Sequence, residues 1–387
     1  MVDQHGAAVL VLLELSTAFD TVDHSILLDG LQNLLGITGL ALEWFRSYLS
    51  RRTQQVVING AKSNVKHLDC GVPQGSVLGP LLFLIYILPL RDTLKGCSIS
   101  RHGYADDIQV YRVLACLMVA IQCAELEQRL NGIQDWLTVN KLKGNPDKTE
   151  VMLFGHQRAL QSFTLPALTI AGTVVQVSRV PVRNPGVLFE SILSMDPHVS
   201  SVVRSASYHL RNIGLVRRQL TVEATKSLAQ SLVLSRLDYC NSSLAEITEK
   251  SLHKLQLVQN RAARLVTRTP RRSHITPVLA KLHWLPVRER ILFKLLLLTF
   301  KAYHRLAPNY LNDLIQHYIP SRSLRSKSQD LLTLRKYRLK TFGGRAFAIL
   351  GPQLWNSLPP TLRAASDVST FCNKLKTYLF KEAHQRR

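Results

Sequence analysis

Asp106 and Asp107 stand side by side in Gly103-Tyr104-Ala105-Asp106-Asp107-Ile108, an otherwise largely apolar stretch. Adjacent carboxylates repel each other, and either water or a divalent cation relieves the repulsion; to such a cation they are hard oxygen ligands. The plain alternative is a solvated turn, because Asp is a common turn former. A third acid, Glu14, follows the apolar run 7–13, as a polar side chain does where a buried strand emerges at a site. Between them lies Cys70-Gly71-Val72-Pro73-Gln74-Gly75-Ser76, loop chemistry just ahead of an apolar helix. Its backbone amides and the Gln74 side chain suit polar recognition, and an ordinary helix-entry turn would read the same way. Strand–helix–helix–strand–hairpin connectivity brings Glu14, Asp106 and Asp107 onto adjacent strands of one antiparallel sheet. Three carboxylates there would hold two divalent ions roughly 3.5–4 Å apart, to activate an attacking oxygen and stabilise a leaving pyrophosphate.

The elements that must position these groups follow from apolar spacing. Residues 7–13 read as a buried central strand. Ile26, Leu27, Leu31, Leu34 and Leu35 mark a helix stopped by Gly36, and a second helix covers 41–49. A strand is expected over 54–58 with Asn59-Gly60 as its turn, then a helix from about Val77. Alternation through Ile99, Tyr104, Ile108, Val110 and Tyr111 predicts two short strands joined at the acids. Residues 115–142 form an amphipathic pattern through Leu117, Ile121, Leu126, Leu130, Ile133 and Leu137, suited to covering a sheet face. Strands are predicted at 148–154, 163–170 and 174–177, with a hairpin-like segment at 187–193. From about Asp196 the pattern becomes helical, over 199–219, 222–244, 251–267 and 287–304. The chain closes with 342–350, the Trp355 region and a last helix over 368–380.

Charge divides the chain as sharply as periodicity does. Of 387 residues, 46% are hydrophobic and 19% charged, which fits a globular protein and excludes a disordered one. The net charge is +23, yet residues 1–160 hold 14 Lys and Arg against 15 Asp and Glu, leaving 35 against 11 for the rest. A neutral first part joined to a basic second part suggests a catalytic or packing module followed by one that binds polyanions, against the plainer alternative of a solvated basic surface. Arg204, Arg211, Arg217, Arg218, Arg261, Arg264, Arg268, Arg271 and Arg272 lie on or between the predicted helices, where they can present cations to phosphates. Cys70, Cys97, Cys116, Cys123, Cys240 and Cys372 show no zinc spacing and read as reduced, mostly buried thiols. No signal peptide opens the chain, and the longest apolar run, 77–90, is broken by Gly79, Pro80 and Pro89 and is too short to span a bilayer. A soluble intracellular protein of nucleus or cytoplasm is expected, with no membrane partner.

The residues themselves carry a resemblance. Glu14-Leu15-Ser16-Thr17-Ala18-Phe19-Asp20-Thr21-Val22-Asp23-His24, Gly71-Val72-Pro73-Gln74-Gly75-Ser76-Val77-Leu78-Gly79-Pro80 and Tyr104-Ala105-Asp106-Asp107 resemble motifs A, B and C of the reverse transcriptases of non-LTR (LINE-type, jockey-like) retrotransposons. Trp136-Leu137 through Asn145-Pro146-Asp147-Lys148-Thr149-Glu150 resembles motif D, and Asn184-Pro185-Gly186-Val187-Leu188-Phe189 the entry to the thumb. Ser235-Arg236-Leu237-Asp238-Tyr239-Cys240-Asn241, His283-Trp284-Leu285-Pro286 and Leu354-Trp355-Asn356-Ser357-Leu358-Pro359 extend the likeness over nearly the whole chain.

The resemblance implies an α+β fold: a reverse-transcriptase palm, an antiparallel sheet packed on helices, over 1–195. A mostly helical thumb-like region at 196–270 and a basic C-terminal region at 271–387 would follow. It implies RNA-directed DNA synthesis primed at a nicked chromosomal target, with RNA template, DNA primer and deoxynucleotide triphosphates as partners and Mg²⁺ or Mn²⁺ as cofactor. In that frame Asp106, Asp107, Glu14 and the Leu15 carbonyl would ligate the metal. Phe19 would gate the sugar of the incoming nucleotide, or serve as a plain core aromatic. Gln74 and Gly75 would contact nucleotide and template, Tyr104 would lie beside the primer end, and Lys148 near the leaving pyrophosphate or simply in solvent.

Departures from the family pattern set the alternative. The family has Asp at the position of Glu14, and a carboxylate displaced by about an ångström can cost on the order of 100-fold. Gly144 and Pro185 each stand where the family has Leu, changing local backbone preference. Motif A begins within the first fifteen residues, so the expectation is a chain without the endonuclease and fingers that precede it in the family. Two readings follow: a two-metal polymerase, or a decayed, non-catalytic nucleic-acid-binding remnant. An unrelated metal-dependent phosphohydrolase explains the acids but not the Gln74 loop.

Overall fold

The computed structural model describes residues 6–385 except 97, 116–117, 164 and 320–329; Leu117, Cys97, Cys116 and the basic stretch 321–327 lie outside the described residues. The chain divides into two compact units, Met1–Gly186 and Val187–Arg387.

The first unit is built on β1, Ala7–Ser16, whose residues Val9, Val11, Leu13 and Leu15 are all buried. After β1 the chain turns into α1, His24–Asn33, where the Asp23 side chain accepts hydrogen bonds from the Ser25 and Ile26 amides at 2.8 and 3.0 Å. This N-cap satisfies two amides with no partner inside the helix, while Leu27 and Leu31 bury the inner face. α2, Gly39–Leu49, follows, then a run of short strands.

The strand expected over 54–58 is interrupted, giving β2, Arg52–Gln54, and β3, Val57–Ile58. The cause is a side chain competing for the ladder: the Ser63 hydroxyl accepts from the Val56 amide at 3.0 Å, where a backbone carbonyl would otherwise serve. Asn59 and Gly60 both take positive φ, 49° and 84°, as a two-residue hairpin turn demands. β4, Ala61–Lys62, and β5, Lys66–Leu68, run back antiparallel to β3 and β2.

Past α3, Gly79–Ile87, the chain makes the hairpin of β6, Ser100–Tyr104, and β7, Asp107–Leu114. Then come α4, Val119–Val139, β8, Lys143–Gly144, and β9, Glu150–Gly155. The sheet runs in the order β6-β7-β1, with β8 and β9 both pairing with the far edge of β1, and every pairing is antiparallel. α4 buries Cys123, Leu126, Leu130, Ile133 and Leu137, a helical stripe at alternating steps of three and four. Ile121, expected on that stripe, is 56% exposed, because two residues before Cys123 is about 200° around the helix. The strand expected at 148–154 starts only at Glu150, since Pro146–Lys148 is a 3₁₀ turn. Those at 163–170 and 174–177 shorten to Leu168–Ile170 and Thr173–Val175.

The second unit is largely helical. Its main helices are α5, Asp196–Val216, α6, Val222–Ala229, α7, Glu249–Thr267, α8, Val287–Tyr303, α9, Phe347–Asn356, and α10, Val368–Gln385. The single helix expected over 222–244 is not one. α6 passes into a π turn at Gln230–Leu234 and a short Ser235–Asp238 helix, and the run ends at Cys240, φ 49°. Ser231 and Ser235 donate to the carbonyls of Ser227 and Ser231, four residues back, a pattern that bends helices. Around the fully buried Trp355, the Phe300 and Phe371 rings stack at 4.3 Å and the indole donates to the Asp330 carbonyl at 2.7 Å. Of the four described cysteines, none in a disulfide, Cys70 and Cys240 are exposed, against the expectation of mostly buried thiols. Among the described residues no helix is long and apolar enough to cross a membrane.

Candidate active site

Strand register decides which acids meet. β1 and β7 pair so that Glu14 lies directly opposite Asp107, and opposed residues point to the same face of a sheet. On β9 the residue opposite Leu12 is Glu150, and Leu12 shares that face with Glu14 by the two-residue period. Asp106 sits in the β6–β7 turn, entered through Ala105 at a φ of 53°, a left-handed conformation unusual for a residue with a Cβ. Three half-exposed carboxylates, Glu14, Asp106 and Asp107, therefore gather at one end of the sheet, with Glu150 behind them.

A cation of the chain's own lies among them. The turn Pro146–Lys148 is pinned to β1 by the Asn145 amide, which donates to the Glu14 carbonyl at 2.8 Å, and by the Asn145 side chain, which accepts from the Asp147 amide. From there the Lys148 ammonium donates to Glu14 Oε1 in a short ion pair. The bond to Glu14, then the field of Glu14, Asp106 and Asp107, holds the Lys148 ammonium above its ordinary pKa. Burial first, then repulsion from Asp106 and Glu14, pushes the Asp107 carboxyl up, with Lys148 pulling the other way. Glu150 is raised by burial and by Glu14.

Around this cluster the motif A and B segments interlock. The Gly71 amide donates to the Val22 carbonyl and the Val72 amide to the Phe19 carbonyl, both at 2.8 Å. Gly71 has a φ of 88°, and a Cβ on it would stand 2.9 Å from the Asp20 carbonyl oxygen, so glycine is required here twice over. Gln74 donates to Asp20 Oδ1 at 3.1 Å, and both line a cavity of about 570 Å³ with Arg52 and Gln54. Gly75 is exposed at a φ of 80°, Tyr104 is 70% exposed, and the Phe19 ring stacks on Phe83 at 4.7 Å. Leu15 is buried opposite Gly144, where Gln134 fills the space a larger side chain would need, its amide 2.6 Å from the position of a Cβ. Sequence reasoning left Glu150 and Asp20 out of the site; the parity of β9 against β1 was the signal for the first. For the second, nothing short of the folded loop signals the Gln74 bond.

Of the arginines singled out in the second unit, Arg204 and Arg211 on α5, Arg218 just beyond it and Arg261 on α7 are exposed. Arg264 is half-buried and donates to the Ser273 carbonyl at 3.2 Å. Arg217 turns inward and is not presented to a phosphate. Its guanidinium donates to the carbonyls of Leu265, Leu220 and Val266 at 2.8, 2.9 and 2.9 Å.

Residues 1–208 match the family model described as "Reverse transcriptase (RNA-dependent DNA polymerase)", more than half of the chain. The chain belongs to the reverse transcriptase family. Its similarity extends to non-LTR retrotransposon polymerases. It is 25% identical over 266 residues, 67% of this chain, to the RNA-directed DNA polymerase from mobile element jockey of Drosophila funebris. It is 27% identical over 274 residues, 66% of this chain, to the probable RNA-directed DNA polymerase from transposon X-element of Drosophila melanogaster. Each match takes in 28% of the relative, so this reverse transcriptase chain spans little more than a quarter of those proteins' length.

Reverse transcriptases as a superfamily use divalent metal cofactors, and the donor set here can be tested against that need. Among the described residues no three His, Cys, Asp or Glu side chains converge closely enough to hold an ion. One oxygen of Glu14 is also committed to the Lys148 ammonium. As arranged, the carboxylates of this reverse transcriptase chain do not fit the metal pair.

Proposed function

We propose that the chain is a non-synthesising, nucleic-acid-binding derivative of a non-LTR retrotransposon reverse transcriptase. The Lys148–Glu14 ion pair carries this reading, because it sets an ammonium where a metal-dependent polymerase needs a free carboxylate. Binding would fall to the second unit, residues 187–387, which hold 33 Lys and Arg against 11 Asp and Glu. On α5 the exposed Arg204, Tyr208 and Arg211 follow the i, i+4, i+7 spacing of one helix face. Cations interleaved with an aromatic ring suit phosphates and unstacked bases.

Primer extension on an RNA template with deoxynucleotide triphosphates and Mg²⁺ or Mn²⁺ tests the reading. The chain, its Glu14→Asp variant and the Asp106→Ala control should all give the same background. The chain should still bind RNA or DNA with an affinity that falls as salt rises. Template-dependent synthesis by the chain, or its recovery in Glu14→Asp, would return the polymerase reading to first place.

A further inference from the structure

Gln256, Gln259 and Asn260 put three amide side chains close together on α7. Gln256 donates to Gln259 Oε1 at 2.9 Å and to Asn260 Oδ1 at 2.8 Å, and it accepts from the Val287 amide at 2.9 Å. Gln259, fully buried, donates to the Leu285 carbonyl at 2.8 Å. These bonds fix α7 to the entry of α8. Beside them the second unit holds a cavity of about 330 Å³, walled by α7, the short helix Thr276–Leu282, the start of α8 and the end of α10. The buried Leu252 and Leu279 supply apolar wall. The polar groups have bonding capacity to spare. Asn260 commits its oxygen to Gln256, while its amide nitrogen has no partner among the described residues; nor has the Thr276 hydroxyl. Both ring nitrogens of His384 are buried without a partner among the described residues. A neutral imidazole has one donor and one acceptor to satisfy, so this ring gains bonds by turning toward a polar occupant of the cavity. Of the charged groups in the wall, Arg288 donates to both oxygens of Glu249, at 2.5 and 2.6 Å, and Glu289 adds a second carboxylate.

We propose that this cavity receives one unstacked nucleobase of a bound single strand, its edge on Asn260, Thr276 and His384 and its ring against Leu252 and Leu279. The inference rests on the reading of the second unit as a nucleic-acid binder and names what that unit takes besides phosphates. Pockets for small molecules run from roughly 300 to 1,000 Å³, and this one lies at the small end, with room for a single base. Amide, hydroxyl and imidazole together both donate and accept, which suits the edge of an unpaired base. Two carboxylates against one guanidinium disfavour a phosphate or another anion inside. The strand's phosphates have cations nearby in the chain: Arg271 and Arg272, both exposed, come four and three residues before Ile275 of the wall.

The test uses the full chain and two labelled RNA single strands of equal length, one normal and one abasic, in anisotropy titrations. Carbon-13-labelled histidine supplies a second readout, the His384 ring signals being identified by their loss in His384→Phe. The normal strand should bind more tightly and move those signals, and the abasic strand should leave them in place. In His384→Phe the advantage of normal over abasic strand should fall about tenfold, as for the net loss of one or two hydrogen bonds. The slope of log affinity against log salt should stay the same, because no phosphate contact is lost. The melting temperature should not fall, since the variant removes two unsatisfied nitrogens from the interior. Should it fall, Thr276→Val, which removes only the hydroxyl, decides by the same affinity ratio. An unchanged ratio in a chain that binds RNA would overturn the base pocket and leave the nucleic-acid reading standing. Adenosine or uridine moving the His384 signals of a chain that binds no RNA would overturn both, and assign the cavity to free nucleosides instead.

Discussion

The Lys148 ammonium is bonded to Glu14, a residue 134 positions earlier in the chain, and Glu14 in turn faces Asp107 across the β1–β7 ladder. The bond puts a monovalent cation, covalently tethered, into a cluster of carboxylates that would otherwise repel one another. It partly offsets the repulsion at Asp107.

Replacing that ammonium exposes what it balances. Among the described residues Lys148 draws the Asp107 carboxyl downward, against burial and the fields of Asp106 and Glu14. In Lys148→Met the Asp107 titration, followed by carboxyl carbon NMR, should therefore move to higher pH than in the unaltered chain. An unchanged or lower Asp107 titration would show that the ammonium spends its time elsewhere in solution.

The loop that locks motif B onto motif A depends on two glycines for different reasons. At Gly75 the φ of 80° is the whole difficulty, since a Cβ there meets nothing within 4 Å. Gly75→Ala should cost about 1 kcal/mol in urea unfolding, the ordinary penalty for an L-residue in the left-handed region. At Gly71 the same backbone strain is joined by a Cβ 2.9 Å from the Asp20 carbonyl, and backbone cannot swing aside as a side chain can. Gly71→Ala should cost on the order of 3 kcal/mol. Equal costs at the two positions would mean that the loop does not press on the Asp20 backbone.

Neighbouring arginines at the end of α5 should part company in the same way. Arg217 supplies donors to three carbonyls, so Arg217→Met leaves them to find water or go unpaired, at about 2–4 kcal/mol in denaturant unfolding. Arg218 is exposed, and Arg218→Met should leave stability within about 0.5 kcal/mol. If both prove neutral, the guanidinium of Arg217 is not the clamp described.

These contrasts show where the sequence was legible and where it was not. The apolar run 7–13, the spacing of 126, 130, 133 and 137, and the acids between two alternating runs all translate into strand, helix and hairpin. They do so because each depends on residues close together in the chain. The mixed sheet-and-helix first part and the helical second part were readable for that reason. The bend of 222–244 was not, because helix propensity says little about serines bonding back to carbonyls four residues away. Nor was Arg217 distinguishable from Arg218, since one residue is about 100° around a helix and only packing shows which points inward. The Lys148–Glu14 pair was the hardest. The resemblance places both residues in one site, but that they bond to each other follows only from the register of β8 and β9 on β1.

The second unit offers a test on the alkaline side. The Tyr303 hydroxyl donates to Asp330 Oδ1 at 3.0 Å; burial first, and then Asp330, pushes its pKa up to about 12. A phenol in the unfolded chain ionises near pH 10. The folded state thus holds this proton more tightly, and the stability that it contributes is complete below pH 10 and lost as pH rises through about 12. Tyr303→Phe lacks that proton, so its stability deficit against the unaltered chain, measured by urea unfolding, should shrink steadily between pH 9 and pH 11. At pH 11 the two proteins should show the same tyrosinate absorbance while folded, because Tyr303 is still protonated there. Extra tyrosinate in the unaltered chain at that pH would mean that Asp330 does not hold the phenol, and the deficit should then be flat with pH.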